Sequence, residues 1–432
     1  MRLTRAGVAL IVFLLIACPI ASIVSYAALT RSALGPLNFG AATATPERRA
    51  TAIQAAGPTP TARQTVRATT AAQSTAASTQ SAGGTTVAGA TATAAGQPKP
   101  SQAATSPATA AVAPGSPTTA AGGQTVTVAY DAYVPYFPVR IADVQGYYKA
   151  QNVQVKQVPF DLNGNSYDEN QRRQALRDGT FDVLLTTLDA AALFNDDQTG
   201  KIVAIVDESA GADKIVARAP IARLNDLKGK RIAFSGGSVS EFFLYANLGL
   251  VGLKPGDVQL QPKEGVDDAV KAFTDGQADA VVGWEPNIDD AMKSQGAKVL
   301  IGSDNFRAIL DVMVVSTKAL NEKPAAIQAF VNAWFQAVKL TTDDPQAAGA
   351  AVVKSGDTDW SGVAQPSDFV DGLKLVAQAT LGQNAFALRD ASTVADRIGE
   401  AQNLWRSAGK QIGNVDPAKL VDTRFVQQAA SQ

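Results

Sequence analysis

Residues 31–123 carry no large apolar side chains at any sustained period, and this confines where a core can form. Alanine, threonine, proline, serine and glutamine dominate, as in "TPTARQTVRATTAAQSTAAST". A segment of this composition cannot bury enough surface to offset the entropy of ordering it. It is therefore expected to be a disordered, extended spacer. Folded structure has to come from what flanks it.

The amino-terminal flank, residues 1–30, suits a membrane better than a core. Arg2 and Arg5 precede an uncharged run from Ala6 to Thr30, and about 20 apolar residues span a bilayer as a helix. The basic residues in front place the N-terminus inside and the remainder on the outer side of the cytoplasmic membrane. Two forms of anchor fit. Leu15-Ile16-Ala17-Cys18 resembles a bacterial lipobox, with Cys18 the lipidated residue. Pro19 and the apolar stretch behind it fit an uncleaved signal anchor instead.

Composition removes several chemistries from the 432 residues. There is no histidine, and Cys18 is the single cysteine. Ser-His-Asp and Cys-His catalysis, histidine-ligated zinc and an intrachain disulfide are thereby excluded. A net charge of -1 offers no footprint for nucleic acid. No Walker A or GxGxxG pattern supports a nucleotide, and no cofactor is expected. "DLNGNSYDENQR" (161–172) superficially follows a calcium loop, but Ser166 stands where glycine is needed and Arg172 where a bidentate glutamate is needed.

From Gln124 onward short apolar strands alternate with helical segments, which predicts an α/β fold with mainly parallel sheets. "TVTVAY", "VQVKQVPF", "FDVLLTT" and "KIVAIVDES" read as strands. Ser166 and Glu169 read as a capping box opening the helix that ends at Gly179. The pattern restarts near Leu224 with strands "RIAFSG", "VQLQPK", "ADAVVGW" and "KVLIGS", and a helix is expected over "EPNIDDAMKSQG". "RDGTFDVLLT" (177–186) is echoed by "TDGQADAVVG" (274–283). Two similar lobes follow from this, with crossovers near 215–223 and 310–318. Lobe 1 takes residues 124–222 and 317–432, and lobe 2 takes 223–316; the long helical segments after 324 pack back on lobe 1.

Four stretches stand out as candidate ligand contacts. In "GKRIAFSGGSVSEFF" (229–243), Ser238 and Glu241 form a capping box, which accounts for Ser238 alone. The Gly236-Gly237 pair beside Ser235 lets a backbone approach something closely, and ligands in open α/β sheets sit beyond strand ends. Thr186-Thr187-Leu188-Asp189 holds the same strand-to-helix position in the first half. Trp284 and Glu285 follow another strand end; Trp284 is a core residue or an exposed stacking face. The loop "YDAYVPYFP" gathers Tyr130, Tyr133, Tyr136 and Phe137 around two prolines, more aromatic surface than packing requires.

"TVAYDAYVPYFPVRIADVQGYYKAQNVQVKQVPF", "RRQALRDGTFDVLLTT", "LNDLKGKRIAFSGGS" and "AFTDGQADAVVGWEP" together resemble the periplasmic substrate-binding proteins for nitrate, sulfonate, taurine and thiamine-precursor pyrimidines, the NMT1/THI5-like family. The resemblance covers roughly residues 124–350. It implies a two-lobed periplasmic-binding-protein fold (type II), a monomer that closes over a small molecule and delivers it to an ABC permease and ATPase, and no enzymatic activity. It also implies that Thr186, Thr187, Ser235, Gly236, Gly237, Ser238, Trp284, Glu285 and the first loop line the cleft, with Asp311 at the second crossover. Arg140 is the only obvious cation near these motifs, whereas Asp131, Asp189, Glu285 and Asp311 are acidic. That balance suits a neutral or cationic heteroaromatic better than an oxyanion. Two other readings stay open, a tethered sensor with the spacer as stalk and a carboxylate-dependent hydrolase.

Overall fold

The computed structural model describes residues 123–163, 167–194, 196 and 198–432. The anchor with Cys18, nearly all of the spacer, and Ser166 lie outside them. Among the described residues no helix is long and apolar enough to cross a membrane.

Among the described residues eleven strands form two sheets: β1 (Thr125–Tyr130), β2 (Gln154–Pro159), β3 (Val183–Thr187), β4 (Gly200–Ser209), β5 (Asp213–Arg218), β6 (Arg231–Ser235), β7 (Gln259–Lys263), β8 (Ala280–Trp284), β9 (Ala297–Gly302), β10 (Leu310–Ser316) and β11 (Val376–Gln378). One sheet runs β11-β4-β10-β3-β1-β2 and the other β7-β6-β8-β5-β9. In each, a parallel trio has its first strand in the middle: β1 between β2 and β3, and β6 between β7 and β8. The echoed segments end in β3 and β8, which hold equivalent places. The helices before them stop at glycines of positive φ, Gly179 at 80° and Gly276 at 75°, a backbone state that costs glycine little.

The expected mainly parallel sheets are mixed. Strands that arrive from the other lobe enter reversed, so β10 is antiparallel to β3 and β4, and β5 is antiparallel to β8 and β9. The crossings lie earlier than 215–223 and 310–318. The chain changes sheet between Ser209 and Asp213 and returns between Gly302 and Leu310, so "DKIVAR" belongs to lobe 2. The two crossings are bonded to each other: Gly211 N–H donates to Ser303 Oγ (2.7 Å), and the hydroxyls of Ser209 and Ser303 are 2.8 Å apart.

Two local expectations also shift. The helix Glu169–Asp178 is capped by Asp168, whose carboxylate accepts from Gln171 N–H (2.8 Å) while Gln171 Oε1 accepts from Asp168 N–H (2.8 Å). A carboxylate at the N-cap satisfies a free amide and meets the positive end of the helix. The helix expected over 285–296 shrinks to Asp289–Met292, because the segment opens on a proline-containing turn.

The core of lobe 1 sits under β3 and β10, both almost wholly buried. The helix Pro324–Asp343 starts on proline, which has the right φ and no N–H to lose. It buries Ile327, Phe330, Val331, Trp334 and Val338 at helical spacing, against β1 and the helices Pro138–Val144, Pro345–Ser355 and Arg424–Ala430. Phe330 stacks on Tyr148 with centroids 5.7 Å apart, and burying each such side chain contributes roughly 1.5–3 kcal/mol. The expected packing of the C-terminal helices on lobe 1 holds for this helix, whereas the helix Ser392–Ser407 touches both Leu188–Phe194 of lobe 1 and Val239–Leu250 of lobe 2.

Candidate functional site

Between the sheets lies a cleft of about 1160 Å³, lined by residues of both lobes and of both crossings. Its walls are loops that follow the carboxyl ends of the parallel trios, where an open α/β sheet leaves space for a ligand.

The loop after β1 supplies Asp131, Tyr133 and Tyr136. Asp131 accepts both arms of the Arg172 guanidinium, at 2.8 and 2.9 Å, and that guanidinium lies 3.9 Å over the ring of Phe160. The fork geometry fixes both residues and uses up the arginine's charge. Tyr133 and Tyr136 meet edge to face, centroids 5.2 Å apart. Their hydroxyls donate to Asp207 (3.3 Å) and Asp311 respectively. Burial and the neighbouring aspartates push both phenols well above their usual range.

The end of β3 places Thr186 and Thr187 on the cleft wall, while Asp189 is turned under it, 2% exposed. In lobe 2, Ser235, Gly236, Gly237 and Ser238 line the opposite wall. The glycine pair has backbone reasons of its own. Gly237 has φ 75°, and a Cβ on Gly236 would stand 3.1 Å from Pro262 Cβ on β7. Ser238 caps the helix Val239–Leu250, accepting from Ser240 N–H at 3.2 Å. Glu241 does not complete the expected capping box; it accepts from Gly237 N–H instead (2.7 Å). The buried Glu241 carboxylate also accepts from the Tyr245 hydroxyl (2.6 Å) and pairs with Lys410 (2.7 Å).

Trp284 reaches the cleft at the end of β8. Two expected lining residues, and the one cation noted near these motifs, stand elsewhere. Glu285 is absent from the lining and forms an ion pair with Lys214. Phe137 is fully buried and packs against Trp360, at the start of the helix Pro138–Val144. Arg140 is only 5% exposed and is consumed by Tyr130, Ser355, Gly356 and Asp357. The bases among the described lining residues are Arg172 and Lys263. Asp311 lies on the cleft floor, as expected, with Asp213 beside it.

A family model described as NMT1/THI5 like matches residues 135–348. The chain carries an NMT1/THI5-like domain. A relative from Escherichia coli (strain K12), named for binding aliphatic sulfonates, is 25% identical over 241 residues, 50% of this chain and 74% of the relative. A binding protein of Brucella abortus (strain 2308) is 29% identical over 151 residues, 34% of this chain and 46% of its own length. Two solved structures share the fold. The periplasmic aliphatic sulphonate binding protein SsuA from Escherichia coli has a TM-score of 0.55 and 19% identity, over 69% of this chain and 92% of that one. The alkanesulfonate-binding SsuA from Xanthomonas axonopodis pv. citri, bound to MOPS, has a TM-score of 0.54 and 18% identity, over 69% and 98%. The two-sheet architecture is thus that of periplasmic binding proteins.

Several lining residues of this NMT1/THI5-like domain escaped the sequence reading. Arg172 finds Asp131 only through tertiary folding, 41 positions away. Asp213 is an acid at the start of a largely buried strand, and that interruption was the available signal. Trp360 lies beyond the family match. It donates its indole N–H to Phe160 O (2.7 Å) and lines the cleft. A tryptophan in the polar turn "TDWSG" could have marked it.

Proposed function

We propose that this protein is an extracytoplasmic solute-binding protein, held at the outer side of the cytoplasmic membrane by its N-terminal segment. It captures a small organic solute between its lobes and delivers it to an ABC permease and ATPase, without catalysing a reaction. The observation that carries this reading is the cleft, which opens between two similar lobes joined by bonded crossings and presents loops of both lobes to one ligand. A cleft at a hinge couples occupancy to closure. Similarity to proteins named for sulfonate binding supports the transport role.

For the solute itself, the reading departs from those names. At the start of the helix Val239–Leu250, where an oxyanion would find free amides, Glu241 already takes the Gly237 N–H. Arg172 is held by Asp131. A neutral or cationic aromatic solute, stacked on Trp284 or the tyrosines, fits these walls better. A thermal-shift panel of aminopyrimidines, thiamine, taurine, alkanesulfonates, nitrate and bicarbonate tests the role. At least one member should give a saturable rise in melting temperature that Trp284→Ala weakens by roughly tenfold in affinity. No response to any member sinks the capture reading.

A further inference from the structure

The floor of the cleft carries carboxyl groups that have no cation of their own. Asp207 and Asp311 are direct partners across β4 and β10, and Asp213 opens β5 at the first crossing. All three are at most 5% exposed, yet Asp213 and Asp311 reach the cleft surface. Their partners are hydroxyls and one another: Tyr133 on Asp207, Tyr136 on Asp311, Ser209 on Asp213 at 2.6 Å, and the Asp207 and Asp311 carboxyls on each other. The nearby bases are engaged elsewhere, Lys214 with Glu285, Arg307 with Glu208 and Arg172 with Asp131.

A second observation points the same way. Asp207 Oδ1 is buried with no N–H or hydroxyl donor on it, and Asp189, whose carboxyl has only Thr187 and its own amide beside it, is close enough to raise Asp311 electrostatically. A buried polar atom left unpaired costs about 1–3 kcal/mol, more if charged. Such carboxyls beneath one ligand cleft mark a place where a ligand supplies what the protein does not.

We propose that this floor receives the cationic head of the solute, an ammonium or amidinium group set against Asp213 and Asp311 and over the rings of Tyr133 and Tyr136. The proposal rests on the solute-capture reading and narrows it to organic cations. Aromatic faces attract such groups. The rim adds steering: Asp161, Asp168 and Asp359 stand on lobe 1, and Glu264, Asp267 and Asp268 on lobe 2.

Proton exchange accompanies binding. Burial holds Asp213 and Asp189 at about 7, and burial with mutual repulsion holds Asp207 and Asp311 well above the usual carboxylate range. The groups facing them are the two raised tyrosines, Glu208 with its arginine, and the Lys214–Glu285 pair. A bound cation favours the ionised carboxylates, so protons leave to solvent while the ligand keeps its charge. Affinity therefore rises with pH.

The test uses the full chain in detergent with four matched probes: benzyltrimethylammonium, benzamidine, benzyl alcohol and benzenesulfonate. The two cations should raise the melting temperature, bind more tightly at about pH 8 than at about pH 6, and release protons in calorimetry across buffers of different ionisation heat. Asp311→Asn and, independently, Asp213→Asn should weaken them roughly tenfold. The wild-type proton release keeps the test decisive if either variant fails to fold. Binding of benzenesulfonate or benzyl alcohol without the cations overturns the cation site and leaves solute capture standing. Silence from all four overturns the cation site too, and capture then stands or falls on the broader panel. Cation binding with no proton release and no pH dependence also overturns it.

Discussion

After β6, the loop Ser235–Ser238 is closed on itself. Ser238 donates to Ser235 O (2.8 Å) and accepts from Ser240 N–H, and Glu241 takes the Gly237 amide. After β3 in the other lobe, Thr187 Oγ1 accepts from Ala190 N–H (3.4 Å), and the buried carboxylate of Asp189 has no cation and only Thr187 and its own amide beside it. Both loops lead from a strand of a parallel trio into a helix. One has used its polar capacity internally and the other has not. The glycine-rich loop, the more conspicuous of the two in the sequence, therefore contributes shape to the cleft. Lobe 1 and the crossings contribute the unspent chemistry. This also corrects the pairing of the loops. By sheet position Ser235–Ser238 matches the loop after β1, whereas Thr186–Asp189 matches Trp284 and Glu285 after β8.

One residue ties the contrasting loops together. Trp405, fully buried, donates its indole N–H to Asp189 O (3.0 Å) and packs its ring on Phe242 and Tyr245, at 5.6 and 6.2 Å. It stands on the helix Ser392–Ser407, far from the family match, and spans the helix starts of both lobes. Trp405→Ala should have the largest effect, a loss of about 3–5 kcal/mol by denaturant unfolding. It removes packing from the saturated side and a hydrogen bond from the unsaturated side. A loss below about 1 kcal/mol would mean the two loops are set independently, and the contrast would lose its structural link.

The unsaturated loop should show itself in pH dependence. Burial raises Asp189 to about 7, against about 3.9 in an unfolded chain. Between those values the folded protein holds a proton that the unfolded chain has lost, so stability is full below the lower value and falls as pH rises. The fall is about 1.4 kcal/mol per pH unit for one such group and levels off above the folded value. Asp213 adds a similar share over the same window, and Asp207 and Asp311, raised by burial and mutual repulsion, contribute with the same sign. Asp189→Asn should remove about one proton from the slope of unfolding free energy against pH between about 4 and 7. An unchanged slope would show that Asp189 is not the strained member of the pair of loops.

Much of this frame was legible before the structure. The echo of 177–186 in 274–283 located equivalent strands, because both segments join a glycine-ended helix to a fully buried run. Tyr133, Tyr136, Thr186, Trp284 and Asp311 were placed at the cleft, and they are there. The crossings were not legible. β4 and β5 are both largely buried runs with apolar centres, and no local period tells a strand which sheet it will join. Glu285 and Phe137 were misplaced for a related reason. A strand end identifies the neighbourhood of a site, but the pairing of Glu285 with Lys214, 71 positions away, decides whether a side chain faces the ligand. Glu241 was recognised as acidic at a helix start, though not as the partner of Lys410, which arrives from the C-terminal segment.

The smallest predicted effect belongs to the saturated loop. Ser238 is 5% exposed, and its hydroxyl makes two short-range bonds, one to a carbonyl three residues back and one from an amide two residues ahead. Ser238→Ala removes both and leaves Ser240 N–H without its cap. The helix retains Glu241 on the Gly237 amide and the Lys410 pair behind it, so the loop should keep its path. The expected loss is about 1 kcal/mol, read by thermal or denaturant unfolding. Amide exchange should quicken at Ser240 and stay unchanged at Gly237. If exchange at Gly237 quickens equally, the loop is a single cooperative unit that Ser238 holds in place, and Glu241 is not the group that closes it. If neither amide responds, the cap is idle and the loop's closure rests on Glu241 and Lys410 alone.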